Sequence, residues 1–212
     1  SLSLRLAMIA PRLKAATIGW QHNCYDGYLH VKPVVFWQQE NLLQQYLPNL
    51  DRYIVLSDYD KRDYMEKLGI DCEVKINPRS FVSEKKCDMK SKRFLMATRF
   101  VYAKGLDLMM ESFEEFCKED SEWELDIIGD GDLFDQIRAD AKKRHLEKRV
   151  HFVGYTNEPE KYYLNSSVFL LPSRWEGWPM VIMEAFEFGL PVIAYHLGAM
   201  DLIIDDGKNG FL

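Results

Sequence analysis

The sequence predicts an α/β protein built on parallel strands, and three observations support this fold class. Short apolar runs alternate with helical segments along the chain, which is the order of repeated βαβ units. Predicted helices end at glycines such as Gly69 and Gly189, which favour the left-handed conformation that closes a helix. The 212 residues are nearly half apolar and over a quarter charged, as in a soluble globular protein with room for one domain and part of another.

Residues 1 to about 90 contain short strands and two helical segments. Ser57 is a suitable N-cap for a helix over Asp58–Leu68. A stretch rich in Gln and Leu predicts a second helix over Trp37–Tyr46, and the residues after the first strand predict a polar, aromatic loop. The predicted strands of this part are Ala15–Trp20, Tyr53–Leu56 and Cys72–Ile76.

From about residue 93 the alternation of strands and helices is regular. Apolar side chains at helical spacing from Leu106 to Phe116 predict a core-facing stripe. Asp132 and Asn157 are candidate N-caps. The predicted strands are Arg93–Thr98, Trp123–Ile128, Val150–Val153, Val168–Leu171 and Val192–Tyr195. The predicted helices are Leu106–Lys118, Leu133–Arg144, Glu158–Leu164 and Pro179–Phe188, with a further helix after the last strand.

Several classes of protein are excluded by composition. The net charge of −6 gives no support to nucleic-acid binding, which normally needs a basic face. The chain contains no apolar run of the roughly 20 residues that span a bilayer, and its start lacks a signal-peptide pattern. The cysteines are far apart, without metal-ligand spacing, so we expect free thiols in a reducing cytoplasm. They are Cys24, Cys72, Cys87 and Cys117.

The most informative stretch, residues 173–194, reads S-R-W-E-G-W-P-M-V-I-M-E-A-F-E-F-G-L-P-V-I-A. Pro179 suits the first turn of a helix, where its missing N–H has no partner to lose. Glu176 lies in the loop before this helix, and Glu184 lies inside it among apolar residues, so we expect Glu184 to be at least partly buried. A buried carboxylate must be paired or hydrogen bonded. Glu184 therefore either makes a structural bond or binds ligand hydroxyls in a cleft.

This stretch resembles the signature of retaining glycosyltransferases of the GT-B architecture, family four (glycosyl transferases group one), in which Glu, seven residues and Glu precede G-x-P-V-I-A. Glu176 and Glu184 fall on the two signature positions. In that family the first Glu faces the donor sugar and the second holds the ribose hydroxyls. The resemblance implies two Rossmann-like domains with doubly wound parallel sheets. Residues 1–88 would be the latter part of the amino-terminal, acceptor-side domain. Residues 89–212 would be a nucleotide-sugar-binding domain, truncated at its carboxy-terminal end.

A second match lies at the end of the strand that begins at Arg93, where the sequence reads R-F-V-Y-A-K-G. Ligands gather at the carboxyl ends of parallel strands, and Arg and Lys offer a planar fork and a point charge to phosphate oxygens. Arg99 and Lys104 could also be two solvated charges. The family carries Arg and Lys-Gly at this spacing and uses them on the donor diphosphate.

Further donor-binding positions follow other strands. Gly129, in G-D-G-D-L, permits close approach of a ligand at a strand-to-helix turn. Asp130-Gly131-Asp132 imitates the metal motif of the GT-A architecture, but GT-B enzymes need no such metal, and we expect no metal or other cofactor. The resemblance places the nucleotide base near Gly154 and Tyr155. It implies further donor contacts in two places. Around Glu176 they would be made by Gly177, Trp178 and Pro179, and at the family's paired glycines by Gly198 and Ala199.

The paired-glycine stretch departs from the family pattern, since Ala199 replaces a glycine and Asp201 replaces a Glu. The shorter Asp201 puts any role of its side chain in doubt. In the first domain His22 follows a strand, and a lone His is more often structural. The resemblance gives it a catalytic position facing the donor sugar across the interdomain cleft. Asp26 is a weaker candidate for acceptor contact. The polar segment Ser80–Lys92 predicts the interdomain linker, with a surface loop as the alternative.

The resemblance implies a retaining, metal-independent hexosyltransferase. It would move a sugar from a nucleotide-sugar donor, most often UDP-linked, to a saccharide or lipid-linked saccharide in envelope, capsule or exopolysaccharide synthesis. We expect it in the cytoplasm, with peripheral association at the inner face of the membrane. The sequence does not indicate the sugar or the oligomeric state. Two alternatives are a non-catalytic nucleotide-sugar-binding module and a Rossmann oxidoreductase, whose G-x-G-x-x-G turn lacks its third glycine here.

Overall fold

A computed structural model describes residues 2–30 and 39–212. The chain divides into two compact units. The first comprises residues 1–78 together with residues 175–178, and the second comprises residues 79–174 and 179–212. Residues 79–88, which we predicted to belong to the first domain and its linker, cluster with the second unit. The reason is local bonding, since the Ser83 N–H donates to Glu187 and the Cys87 N–H donates to the Phe188 carbonyl.

The first unit is a three-stranded parallel sheet, in the order β1-β2-β3, with helices around it. In its core the ring of Tyr64 contacts the rings of Tyr25 and Tyr53 edge to face. The strands are β1 (Ile18–Trp20), β2 (Arg52–Val55) and β3 (Glu73–Val74). The helices are α1 (Leu2–Ile9), α2 (Tyr25–Leu29), α3 (Glu40–Tyr46) and α4 (Asp58–Leu68).

The second unit is a six-stranded parallel sheet in the order β6-β5-β4-β7-β8-β9, which is the doubly wound order of a Rossmann-like domain. The direction of winding reverses between β4 and β7, and ligands of such sheets bind beyond the carboxyl ends of the strands at this point. The strands are β4 (Arg93–Ala97), β5 (Glu124–Ile128), β6 (Val150–Gly154), β7 (Val168–Leu171), β8 (Val192–Ala194) and β9 (Gly210–Phe211). The helices are α5 (Leu106–Glu119), α6 (Phe134–Lys143), α7 (Glu160–Leu164) and α8 (Met180–Glu187).

Both faces of this sheet are packed, because successive side chains of a strand point to opposite faces. Leu95 and Ala97 of β4 join a core with helices α7 and α8. Met96, between them, joins a second core with α5 and α6. Strand β7 divides its side chains in the same way. The predicted α/β, doubly wound parallel fold is confirmed, and so is the core-facing stripe of α5.

Some local predictions were wrong. The predicted loop after β1 contains helix α2, whose first turn is capped by the thiol of Cys24 rather than by an oxygen side chain. Asp132 and Asn157 cap no helix, since Leu133 and Pro159 hold those positions without a side-chain cap. The helix expected after β8 is a 3-10 turn at Met200–Leu202. The helix predicted over Trp37–Tyr46 corresponds to α3, and its residues 37 and 38 lie outside the described residues.

Across the part of the chain that the structure describes, helices are too short or too polar to cross a bilayer.

Candidate functional site

The loop between β4 and α5 carries both predicted phosphate-binding cations. The fully buried ring of Phe100 anchors it in the core, and the Phe100 N–H donates to the Asp130 carbonyl at 2.9 Å. Arg99 is exposed on one side of this anchor. Lys104 is half-buried and ends a 3-10 turn, Tyr102–Lys104. The loop therefore presents two cations at the carboxyl end of β4, beside the point where the winding of the sheet reverses.

The backbone geometry at residue 129 by itself explains why this residue is a glycine. Its φ is +124°, and a Cβ at this position would lie 1.8 Å from the Thr98 carbonyl oxygen. Its N–H donates to the Gly154 carbonyl at 2.9 Å, and the Thr98 N–H donates to the Ile128 carbonyl. The turns after β4, β5 and β6 are thus bound to one another at the carboxyl edge of the sheet. Close approach of two backbones explains the glycine.

The other predicted donor-binding positions lie at the ends of β6 and β8. Tyr155 follows Gly154 and is 78% exposed. Gly198 is exposed, whereas Ala199 is buried and directly precedes the 3-10 turn that replaces the predicted helix. Asp201 lies exposed in that turn. These positions stand at strand ends as predicted, and their contact with a donor remains a prediction.

Glu184 is partly buried in α8, as its apolar neighbours predict. The hydroxyl of Tyr163 donates to its Oε2 at 2.9 Å, and the hydroxyl of Ser80 lies 3.5 Å from its Oε1. Tyr163 is almost fully buried, and burial raises the pKa of its phenol, so the phenol keeps its proton and donates. Tyr163 had no signal in the sequence, because its bond to Glu184 depends on the packing of α7 against α8.

Glu184 also lines a cavity of about 750 Å³ in the second unit. Phe81 and Val82 form one wall, the segment from Asn157 to Leu164 forms another, and Phe188 lies beside Glu184. This volume falls within the roughly 300–1,000 Å³ range of small-molecule pockets. The apolar side chains of Phe81, Val82 and Phe188 face this cavity, while the wall from residues 157–164 also carries charged groups. Together with a carboxylate that is fixed by a buried phenol, this lining suits a flat apolar group that carries hydroxyls.

Arg174, which sequence analysis did not single out, connects the signature stretch to the loop after β4. Its Nη1 and Nη2 donate to Oδ1 and Oδ2 of Asp107 at 2.7 and 2.6 Å. Nη1 also donates to the Tyr102 carbonyl at 3.0 Å, and the guanidinium lies 4.0 Å from the centre of the Tyr102 ring. The Arg174 side chain holds the pKa of Asp107 below its usual value, chiefly through these hydrogen bonds.

The predicted residues of the first unit surround the end of β1. His22 is exposed and stacks on Trp20 with ring centroids 5.1 Å apart. Gly177 lies against the same turn, where a Cβ on it would lie 2.6 Å from the His22 carbonyl oxygen. Glu176 and Trp178 flank it within the segment that clusters with this unit. The structure thus brings His22 and the Gly177 segment together, whereas Arg99, Lys104, Pro179 and Glu184 belong to the second unit.

A buried carboxylate holds the turn that carries His22. Asp60 is 5% exposed, accepts a hydrogen bond from the Tyr25 N–H at 2.9 Å and accepts another from the Ser57 hydroxyl at 2.7 Å. Burial raises its pKa. Asp26, the candidate acceptor contact, is exposed and pairs instead with His30 at 2.8 Å and with Lys67 at 3.5 Å.

The thiol of Cys24 is expected to react slowly with iodoacetamide at pH 8. All four cysteines are free thiols, and burial raises the pKa of Cys24 to about 12. The thiolate is the nucleophile, and at such a pKa only about one thiol in ten thousand is ionised at pH 8. Alkylation followed by peptide mass mapping measures the rate, with the guanidinium-unfolded chain as the control. Native Cys24 labelling as fast as in the unfolded chain would contradict the prediction.

Among the described residues, no three His, Cys, Asp or Glu side chains are grouped so that they could hold a metal ion.

Comparisons with known proteins identify the family of this chain and several of its relatives. The family described as "Glycosyl transferases group 1" matches residues 79–212. An uncharacterized glycosyltransferase of Haemophilus influenzae is 30% identical over 165 residues, which cover 76% of this chain and 47% of that protein. The amylovoran biosynthesis glycosyltransferase AmsD of Erwinia amylovora is 34% identical over 120 residues, 56% of this chain and 34% of that protein.

A crystal structure of a Staphylococcus aureus TarM variant, in complex with Fondaparinux, alpha-GlcNAc-glycerol and UDP, has a similar fold. Its TM-score is 0.80 at 23% identity, and the match covers 93% of this chain and 40% of that chain. The chain therefore spans less than half of the length of each of these three proteins.

Proposed function

Because the chain belongs to the Glycosyl transferases group 1 family, we propose that the protein is a retaining glycosyltransferase that uses a nucleotide-sugar donor, most simply a UDP-sugar. The observation that carries this proposal is the pair of cations, Arg99 and Lys104, in the loop at the carboxyl end of β4, where the winding of the six-stranded sheet reverses. That is where doubly wound sheets bind nucleotides.

The two cations suit a diphosphate leaving group. Negative charge builds on this group as the bond to the sugar breaks, and fixed positive charge lowers the energy of that transition state. Arg99 offers a planar fork to two phosphate oxygens and Lys104 a point charge. Because protein cations supply this charge, we propose that transfer needs no metal. Activity that survives EDTA treatment would support this, whereas loss that Mg²⁺ or Mn²⁺ restores would contradict it.

We propose that the nucleoside lies in the 750 Å³ cavity beside Glu184. A carboxylate can accept hydrogen bonds from both ribose hydroxyls, and the Tyr163 hydroxyl already orients one of its oxygens. The apolar walls at Phe81 and Phe188 suit a flat base. Glu176 and the backbone from Gly177 to Pro179 would then position the donor sugar, and His22 would face it.

The acceptor is proposed from relatives. AmsD is named for amylovoran biosynthesis, and the TarM complex holds UDP and an N-acetylglucosamine derivative. We propose a saccharide or lipid-linked saccharide acceptor in the synthesis of an envelope or secreted polysaccharide. Such an acceptor would place the protein in the cytoplasm, at the inner face of the membrane. Fractionation of cells tests the location, since a lipid-linked acceptor requires a share of the protein to sediment with membranes.

A donor panel with the full-length protein tests the function. The protein is incubated with UDP-, GDP- and ADP-sugars and an extract of lipid-linked saccharides, and products are analysed by mass spectrometry and anomeric NMR. The proposal predicts one preferred UDP-sugar and an α-linked product from an α-linked donor. Binding of UDP without transfer would support the alternative of a non-catalytic nucleotide-sugar module. If the protein bound no nucleoside diphosphate, both the glycosyltransferase and the non-catalytic module would be overturned.

The exchange Glu184→Ala is expected to weaken UDP binding about 10- to 100-fold, because charge-assisted bonds to two hydroxyls are lost. Tyr163→Phe should weaken it about threefold, since the carboxylate stays but loses its orienting partner. Titration calorimetry with UDP and 2′-deoxy-UDP measures both effects. The wild type should prefer UDP, and Glu184→Ala should bind the two equally.

Glu124→Gln is the matched control for Glu184. Glu124 is also a partly buried carboxylate, hydrogen bonded to His151 at 2.7 Å, but it lies at the amino end of β5. We expect this variant to bind UDP like the wild type. An equal loss in both variants, or a preference for UDP that survives Glu184→Ala, would remove Glu184 from the ribose site.

A further inference from the structure

The Tyr102–Lys104 turn is held to the end of β7 by one side chain. Arg174 donates through its backbone N–H to the Ala103 carbonyl at 2.7 Å and through Nη1 to the Tyr102 carbonyl at 3.0 Å. Its guanidinium also covers the Tyr102 ring. These contacts reach both residues that precede Lys104 in the turn.

The guanidinium of Arg174 is already committed to these partners. Its bidentate pair with Asp107 uses both terminal nitrogens, and the arginine side chain is 19% exposed. Charge-assisted, bidentate bonds of this kind fix geometry as well as contribute energy. Because Asp107 already neutralises its charge, we do not assign the arginine as a third phosphate ligand.

Asp107 fixes the other end of the same connection. It lies in the first turn of α5, two residues after Gly105, where a carboxylate also interacts favourably with the helix dipole. Arg174 thus joins two consecutive parts of one segment, which are the 3-10 turn that ends at Lys104 and the start of α5. Displacement of a binding group by about 1 Å can cost a hundredfold in rate, so such a connection has functional value.

We propose that Arg174 and Asp107 form a clamp that positions Lys104 for the diphosphate, and that neither residue touches the ligand. This inference rests on the proposed function, because Lys104 must bind phosphate for its position to matter. The clamp also links two distant sequence motifs, since Arg174 directly precedes the segment that carries Glu176.

The test is a double-mutant cycle in the full-length protein, with UDP and uridine as calorimetric probes. Lys104→Ala and Arg174→Ala should each weaken UDP binding about tenfold, equivalent to one charge-assisted phosphate contact, and leave uridine binding unchanged. In the Lys104→Ala background, Arg174→Ala should cause less than about a twofold further loss, because the clamp acts through the lysine. Arg174→Lys should not restore affinity, since lysine cannot form the bidentate pair.

Arg144→Ala is the matched control. Arg144 has a similar side-chain exposure of 24% and a similar network with Asp140 and Glu114, but it lies at the end of α6. We expect it to lower the melting temperature and leave UDP affinity unchanged. Asp107→Asn keeps the side-chain volume but removes the charge and one acceptor of the bidentate pair, so it should weaken UDP binding in the same direction, and it serves if Arg174→Ala does not fold.

The outcomes separate the two proposals. Wild-type affinity for UDP in the Arg174→Ala and Asp107→Asn variants would overturn the clamp and leave the proposed function standing. Full additivity with Lys104→Ala, or an equal loss of uridine binding, would also overturn it. Failure of the wild-type protein to bind UDP or any other nucleoside diphosphate would overturn the proposed function and the clamp with it.

Discussion

Replacing Lys104 with alanine is expected to lower kcat about 100- to 1,000-fold, which is the usual cost of removing one preorganised group that stabilises transition-state charge. Lys104 is half-buried at the end of its 3-10 turn, so its charge acts in surroundings less polar than bulk water. The charge on the leaving diphosphate grows during the reaction, so the loss should fall mainly on kcat rather than on KM. Steady-state kinetics of the full-length protein with its preferred UDP-sugar measure the effect.

Lys142→Ala is the control, because Lys142 is an exposed cation in the last turn of α6 in the same unit. It should leave kcat and KM within about twofold of the wild type, as surface substitutions usually do. A Lys104→Ala enzyme with unchanged kcat and a raised KM would mean that Lys104 binds substrate and transition state equally. Unchanged kcat and KM would remove Lys104 from the active site.

The doubly wound fold was predictable because its signals are local. Helix α4 has the predicted bounds, Asp58–Leu68, since Ser57 accepts a hydrogen bond from the Asp60 N–H and Gly69 adopts the left-handed conformation. Strands β4 to β8 are short, mostly apolar runs, which period and length identify without tertiary information. A segment whose two ends carry their own signals can be placed from sequence alone.

Helix α2 shows why other elements could not be placed. Its cap is the Cys24 thiol, an uncommon capping group, and its first N–H is held by Asp60 from α4. Residue preferences therefore predicted a loop where a contact between distant residues makes a helix. Asp132 was predicted to cap a helix and does not. The Leu133 N–H donates to the Phe100 carbonyl, and the helix starts later without the expected cap.

In the candidate site, too, local features could be predicted from the sequence and contacts between distant residues could not. Glu184 was predicted to be partly buried and hydrogen bonded, and it is, but its partner Tyr163 could not be named because the two are joined only by packing. Gly129 was predicted to permit close approach of a ligand, which stays a prediction, and the Thr98 carbonyl gives this glycine a second reason that the sequence did not reveal. Motif positions were readable from the sequence, but the residues that hold them in place were not.

Gly105 is one such supporting residue, and Gly105→Ala is expected to destabilise the protein by about 3 kcal/mol or more. Its φ is +63°, a conformation that costs an alanine roughly 1–2 kcal/mol. In addition, a Cβ there would lie 1.9 Å from the Pro172 carbonyl oxygen at the end of β7. This is a backbone atom that cannot rotate away, so the loop with Lys104 or the strand end must shift. The midpoint of urea unfolding of the full-length protein, with its slope, measures the loss.

Gly207→Ala is the control that separates backbone strain from the contact with Pro172. Gly207 has a similar φ of +75° in the same unit, but a Cβ on it would meet nothing within 4 Å. It should therefore lose only the roughly 1–2 kcal/mol of backbone strain and keep wild-type affinity for UDP. Gly105→Ala should lose more stability and also bind UDP more weakly, because its shift displaces Lys104. Equal losses in the two variants would mean that the contact with Pro172 relaxes without cost and that Gly105 does not fix the position of the lysine.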